Sequence, residues 1–369
     1  MKGIRSLVAA ALAAASLLAS AVAGPSTMAG SAPATSSAIA LANLDHLIAQ
    51  GGDDPGGADL LLLRMQVLGE PGTLDRIAAL TEGQAADASG LLRRARARAA
   101  AHRFADALDD LDAARREGAA EARVEGQRAS LLVATGRARE ALPWLDSQAA
   151  RHPGFATRCA LARALADLGR YDEADALDAA ALQALDTTSP FPAASIWFAR
   201  GMMWAEQAHD PTRGEAMYRQ ALRLVPEHAA ASIHLAEIEA GRGELASAVA
   251  RLERVATPAG DPEALALLGE LHLRLGEVQR GGDEIARAGR RYAELLARHP
   301  LAYADHAAEF YLGPGHDPAR AFEWASLNLR NRETRRAFEL AIRAAREAHR
   351  EEEAERLEQR MNAGVRSKT

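Results

Sequence analysis

Eleven histidines, fifty carboxylates and a single cysteine are spread along this 369-residue chain, and their spacing decides what chemistry they could do. His299 and His306 lie seven apart, which on a helix means about 10.5 Å of rise, too far for one metal ion to take both. His228 and His234 are also badly spaced for that purpose. The carboxylate pairs Asp109-Asp110 and Asp172-Glu173 fall in helical sequence and read as solvated faces, as does Arg350-Glu351-Glu352-Glu353 with its i,i+4 pairing. The stretch GGDDPGG (51–57) sets acidic residues among glycines without the ligand alternation of a calcium loop, so it reads as a turn between helices. Cys159 has no second thiol with which to form an internal disulfide and reads as a small buried residue; a reactive or intermolecular thiol is the alternative, and no neighbour supports it.

The signatures of catalysis and cofactor binding are missing: there is no His-Glu-x-x-His, no Gly-x-Ser-x-Gly and no phosphate-binding glycine loop. No catalytic residue, cofactor or metal site is therefore predicted. One concentration of charge remains, Arg93, Arg94, Arg96 and Arg98, whose meaning depends on the element that carries it.

Composition narrows those elements. The chain is 48% hydrophobic and 25% charged, yet only 4% aromatic. A core of Ala and Leu suits helices in close contact better than one large globular centre, and sparse β-branched residues disfavour a sheet. The net charge of −6 argues against general nucleic-acid affinity, which needs a basic footprint. Lysine occurs only at Lys2 and Lys368, and the Arg and Ala excess reads as a bacterial composition bias.

Residues 1–23 have the layout of a secretory signal peptide: Lys2 and Arg5, an apolar run from about Leu7 to Leu18, then Ala21-Val22-Ala23, with cleavage after Ala23. An uncleaved anchor is the alternative, but the run is short for a bilayer span. Residue 24 is Gly with no Cys nearby, which disfavours a lipoprotein, and no later stretch is apolar enough to span a membrane. The expected product is soluble and exported, periplasmic or else extracellular. Residues 24–54 read as a Gly/Ser/Pro/Ala-rich linker and one amphipathic helix, with Leu41, Leu44 and Ile48 on one face, that either caps the next helices or docks on a partner.

Beyond it the chain repeats. Taking His102, Gly136, Gly169, Gly243 and Gly276 as turns, the gaps are 34, 33, 74 and 33 residues; the 74 holds two units, with the missing turn near Ala208-His209-Asp210. Seven residues before the turns stand Ala95, Ala129, Ala162, Ala236 and Gly269, with Gly201 in the unanchored unit. Five after stand Ala107, Ala141, Ala174, Ala248 and Gly281. Twelve after stand Ala114, Ala181 and Ala288, Gln148 and Val255 being exceptions. A glycine closes a helix in the left-handed conformation, and small residues on facing sides let two helix axes approach. Pro153 and Pro226 end helices. The helix after Gly169 is expected to run to about Leu185, and that after Ala288 to Ala297; both read as long helices, with hinges as the alternative.

The pattern resembles the tetratricopeptide repeat. Trp197, Gly201 and Trp204, then Tyr218, Ala221 and Pro226, carry the local match, and Phe104 and Tyr171 fit two residues past their turns. The resemblance covers residues 88–294, flanked by degenerate repeats at 55–87 and 295–364 and a tail at 365–369. It implies an all-α, right-handed superhelical α-solenoid of antiparallel helix pairs. In such a solenoid one side of the first helices lines a concave groove. That face carries Arg93, Arg96, Arg123, Gln127 and Arg163 early, then Phe198, Met202, Glu206, Glu237 and Glu270: basic, then apolar, then acidic, with ordinary surface arginine as the alternative reading of the basic set. The Asn and Lys of the family's peptide-carboxylate clamp are not supplied. The expected function is a non-enzymatic scaffold holding a peptide or a partner's helix in this groove, within a bacterial envelope complex. A homo-oligomer is compatible with it. The alternatives are an envelope hydrolase or lyase on a helical solenoid, and a structural subunit using its convex or end surfaces. Changing Arg93 and Arg96 to Glu is expected to weaken capture without unfolding the array.

Overall fold

The computed structural model describes residues 35–51, 56–83 and 87–366; the expected signal peptide, nearly all of the linker and the middle of GGDDPGG lie outside them. Among the described residues the chain forms nineteen α-helices and no strand. Three come first: α1 (Ser37–Gly51), α2 (Gly57–Leu68) and α3 (Thr73–Glu82). Eight antiparallel pairs follow: α4 (Ala88–Ala100) with α5 (Phe104–Arg116), α6 (Glu121–Ala134) with α7 (Ala138–Arg151), α8 (Phe155–Asp167) with α9 (Tyr171–Gln183), α10 (Pro190–Met202) with α11 (Pro211–Leu224), α12 (Ala229–Gly241) with α13 (Leu245–Ala259), α14 (Pro262–Arg274) with α15 (Val278–Arg298), α16 (Pro300–Leu312) with α17 (Pro318–Asn331), and α18 (Arg335–Glu347) with α19 (Glu351–Arg366). No described helix is long and apolar enough to cross a membrane.

Each pair is joined by a turn containing one left-handed residue. Glycine takes that place at 136, 169, 243 and 276, and histidine at 102, 209, 316 and 349. At six of these eight turns the following amide reaches back five residues, as in Arg103 N to Arg98 O (2.8 Å), Arg137 N to Leu132 O (2.8 Å) and Glu277 N to His272 O (2.9 Å). After His209 and His316 it reaches back six, from Asp210 N to Trp204 O (2.7 Å) and from Asp317 N to Tyr311 O (2.9 Å), in each case satisfying a carbonyl the helix end leaves open. Histidine tolerates this conformation better than most side chains. His102 also stacks on Phe104, with centroids 5.3 Å apart. The turn without a glycine anchor is thus centred on His209, and two more fall at His316 and His349.

The turns recur every 33 to 34 residues, widening to 40 in two places. At the first widening α9 stops at Gln183 and a non-helical loop covers 184–189, so the expected continuation to Leu185 does not form. The pyrrolidine of Pro190 disfavours helical backbone at the preceding residue, and helix α10 starts afresh on that proline. The second widening is absorbed by α15 itself, 21 residues long.

Small residues do what their spacing predicts. Five residues past every turn stands a buried Ala or Gly: Ala107, Ala141, Ala174, Gly214, Ala248, Gly281, Ala321 and Ala354. At Gly269 and Gly281 the backbones of α14 and α15 touch: a Cβ on Gly269 would stand 2.8 Å from the Gly281 carbonyl, and one on Gly281 2.6 Å from that of Gly269.

Early and late repeats also meet directly. His102 Nδ1 lies 3.2 Å from the Leu301 carbonyl, and Asn331 Nδ2 donates to His102 O (2.9 Å). A Cβ at Gly136 would come within 2.5 Å of Glu333 O. The Tyr303 hydroxyl donates to Pro71 O (3.0 Å), and His299 Nε2 sits 2.7 Å from Asp75 Oδ1. The solenoid therefore closes on itself, and α18 comes to face α6, α8 and α10. Helix α1 packs through Ala40, Leu44 and Ile48, with Leu41 partly buried, against α2 and α10, leaving Ile39 and Leu47 exposed.

Candidate functional site: a groove faced by the C-terminal helix pair

Closure leaves two adjoining spaces. An inner cavity of about 220 Å³ lies between α6, α8, α10 and α18; a wider groove of about 1160 Å³ runs between α10, α11 and α12 on one side and α18 and α19 on the other. Glu206, His209, Arg336, Glu339 and Leu340 border both.

The residues expected to form one groove divide here. Arg163 lines the inner cavity, with buried Nε and Nη1 that make no hydrogen bond. Met202 is beside it, its sulfur accepting the Tyr218 hydroxyl (3.4 Å). Glu206 borders both spaces and Glu237 the wider one. Glu270 is partly buried, and its carboxyl is pushed up to about 7 by burial and then by Glu237. Phe198 faces the core instead, against Tyr218 and His228.

The basic end is different. Arg96 is buried and forks onto Asp59 of α2 (3.0 and 2.7 Å). Gln127, with its amide turned so that nitrogen donates to Leu92 O (3.2 Å), accepts from Arg96 Nη1 (3.2 Å). Arg93 is partly buried, Arg123 is exposed, and neither borders the two spaces. Arg96 and Gln127 thus hold α2, α4 and α6 together. Changing Arg93 and Arg96 to Glu would place like charges beside Asp59, so the expectation that the array survives that change is corrected.

Further positive charge comes from α18, within the segment expected only as a degenerate terminal repeat. Arg336 reaches within 3.6 Å of Glu206 and 3.7 Å of Glu309, and Arg343 pairs with Glu309. Residues 336, 340 and 343 stand at i, i+4 and i+7, a spacing that puts them on one helix face, and this was the available signal. Of the residues expected at the acidic end, Glu206 is thus met by an arginine of the chain itself.

Behind the inner cavity lies a buried ionic network. Arg332 pairs with Asp305 and donates through Nε to Asn328 Oδ1 (2.9 Å). His306 stands 3.3 Å from Glu263 and 4.0 Å from Asp305. Burial alone would raise the Asp305 carboxyl, but His306 and Arg332 hold it well below the usual range. Burial alone would lower His306, yet Asp305 and Glu263 push it up to about 9. A histidine so raised contributes stability that is complete below its unfolded value near 6.5 and is lost as pH rises through about 9. Calorimetry between pH 7 and 9.5 should show the wild type losing roughly 2–3 kcal/mol that His306→Gln does not lose. Parallel declines in the two proteins would remove the charged histidine from this network. Cys159, on α8, is buried and its thiol is pushed up to about 12, by burial first and then by Asp178.

Helix pairs stacked through small residues, with one side of each first helix turned toward a shared interior, define an α-solenoid repeat protein. Residues 205–271 match the tetratricopeptide repeat family model. Similar solved structures include the Cut9–Hcn1 hetero-tetramer of the APC/C (14% identity, TM-score 0.47, covering 78% of this chain). This chain spans about half of that one, 55%. A tetratricopeptide repeat protein from Parabacteroides merdae shares 16% identity over 71% of this chain and 99% of its own, with a TM-score of 0.41. The C-terminal part of a repeat protein from Cytophaga hutchinsonii shares 14% over 58% and 98%, with a TM-score of 0.37. No curated protein sequence matches.

Proposed function

We propose that this protein is an exported, non-enzymatic scaffold of a bacterial cell-envelope complex, acting in the periplasm, and that it captures a partner's extended peptide or helix in the groove between α10–α12 and α18–α19. One observation carries the reading. Arg163 presents two buried donors without hydrogen-bond partners to a cavity of about 220 Å³ that adjoins the wider groove. Buried donors of this kind call for an acceptor, and a carboxylate side chain or a backbone carbonyl of a threaded segment supplies one. Met202 offers an apolar contact beside it. The mixed charges of the wider groove, Glu237, Arg343 and Arg346 among them, would orient the incoming segment more than add affinity.

The test is site-specific photo-crosslinking from position 335 in the native envelope, comparing wild type with Arg163→Glu. Cross-linked partner should fall about tenfold or more, as the loss of a charge-assisted hydrogen bond implies, while circular dichroism stays helical. Undiminished cross-linking would place capture elsewhere. Fractionation with amino-terminal sequencing checks the location: a mature chain beginning at Gly24 in the periplasm is expected, and a cytoplasmic chain retaining residue 1 would refute export.

A further inference from the structure

We propose that Glu206, His234 and Glu237 form a binding site for a divalent first-row transition ion, zinc in particular, in the wall of the wider groove. His234 is the starting point. Its side chain is 1% exposed. It stacks on Tyr218, with centroids 5.1 Å apart and rings 11° from parallel, and lies against Phe198 at 5.7 Å. Neither ring nitrogen makes a hydrogen bond. A buried imidazole normally finds a partner for each nitrogen, so this one is built for something else.

The neighbours of Nδ1 show what. Glu237 Oε2 lies 3.3 Å away and Glu206 Oε1 3.8 Å away. One ligand atom from each of the three residues falls within 4.8 Å of the others. Donors about 2.0–2.2 Å from a tetrahedral zinc stand roughly 3.3–3.5 Å apart. Small side-chain adjustments would therefore complete three ligand bonds.

The elements that place the donors are particular. His234 and Glu237 stand at i and i+3 on α12, so they share a face. Glu206 comes from the π-turn Met203–Gln207 that continues α10, a local widening of the helix that recurs at functional sites. One imidazole and two carboxylates suit zinc, whereas calcium and magnesium favour oxygen-only shells and copper(I) favours thiolates. Three protein ligands leave a fourth position, open toward the groove, for water or a group on a bound partner. Arg336 competes for Glu206 from 3.6 Å and has Glu309 as an alternative partner at 3.7 Å. Metal would therefore release Arg336 to Glu309 without stranding its charge. The site does not depend on whether the groove holds a peptide.

Calorimetric titration of chelator-treated full-length protein with zinc chloride tests this, with cobalt(II) as a spectroscopic probe. One high-affinity equivalent is expected, with cobalt bands of a low-coordinate nitrogen–oxygen site. Glu206→Gln and Glu237→Gln should each weaken binding about 10- to 100-fold or more, the range already seen on losing outer-shell partners of a metal site. Arg336→Gln should tighten it. Both glutamates lie at the groove wall, so circular dichroism serves as the folding control. Failure of the wild type to bind zinc, or wild-type affinity in both glutamine variants, would overturn the site, the second result assigning the ion to other histidines among the eleven.

Discussion

Ala236→Arg should cost the array about 3–5 kcal/mol or more, the scale set by an uncompensated buried charge. Ala236 is fully buried on α12, within the cluster that also holds Ala248, Leu252 and Leu267. An arginine there would have to part the α12–α13 pair or bury its guanidinium among alanines and leucines. Stability in a repeat array depends on each unit's neighbours, so urea unfolding should show a lower midpoint and a split transition as the flanking repeats separate. Ala174→Arg, at an equally buried position five residues past its turn, should behave alike. Leu273→Arg, 40% exposed, should change stability by no more than about 0.5 kcal/mol. Wild-type melting in either alanine variant would mean that the helix pairs are not held by close approach of their backbones.

Arg332→Ala is the second large effect, again about 3–5 kcal/mol, because it leaves Asp305 buried without its guanidinium partner. Adding Asp305→Asn should restore much of the loss, and a double-mutant cycle would read the coupling directly. Arg335→Ala is the contrast: that side chain is 79% exposed and pairs with Glu339 on its own helix, so its loss should register within about 0.5 kcal/mol. Arg332 and Asp305 both border the inner cavity, so the variant also tests whether the cavity's shape depends on this network. Equal effects at 332 and 335 would show that burial does not strengthen the pair.

The repeat was legible in the sequence because its causes are local. A left-handed turn residue and small residues at −7 and +5 are properties of one helix pair, repeated. Turns in which histidine replaces glycine, as at His316 and His349, are hidden by comparison, because glycine is the usual sign of a left-handed turn. The end of α9 is misjudged by counting helix-forming residues alone: the helix stops at Gln183, well before the proline on which α10 starts.

The groove was less legible. Arg96 and Arg163 are the same residue type on first helices at comparable stations, yet one is taken by Asp59 and the other faces a cavity with unbonded donors. What separates them is α2, whose carboxylate lies 37 residues from Arg96 along the chain. Likewise Glu206 reads as part of an open acidic end until α18 brings Arg336 across from it. His234 and Glu237 share a helix face on spacing alone, but Glu206 reaches them only through the π-turn and the packing of α10 on its neighbours.

By itself, then, the sequence determined the helices and their pairing, since those follow from backbone conformation and side-chain size within about 35 residues. Tertiary structure decided which charges are spent on the fold and which face the groove. That choice depends on how the superhelix closes, the sum of small rotations at every pair interface, and no single stretch of residues encodes it.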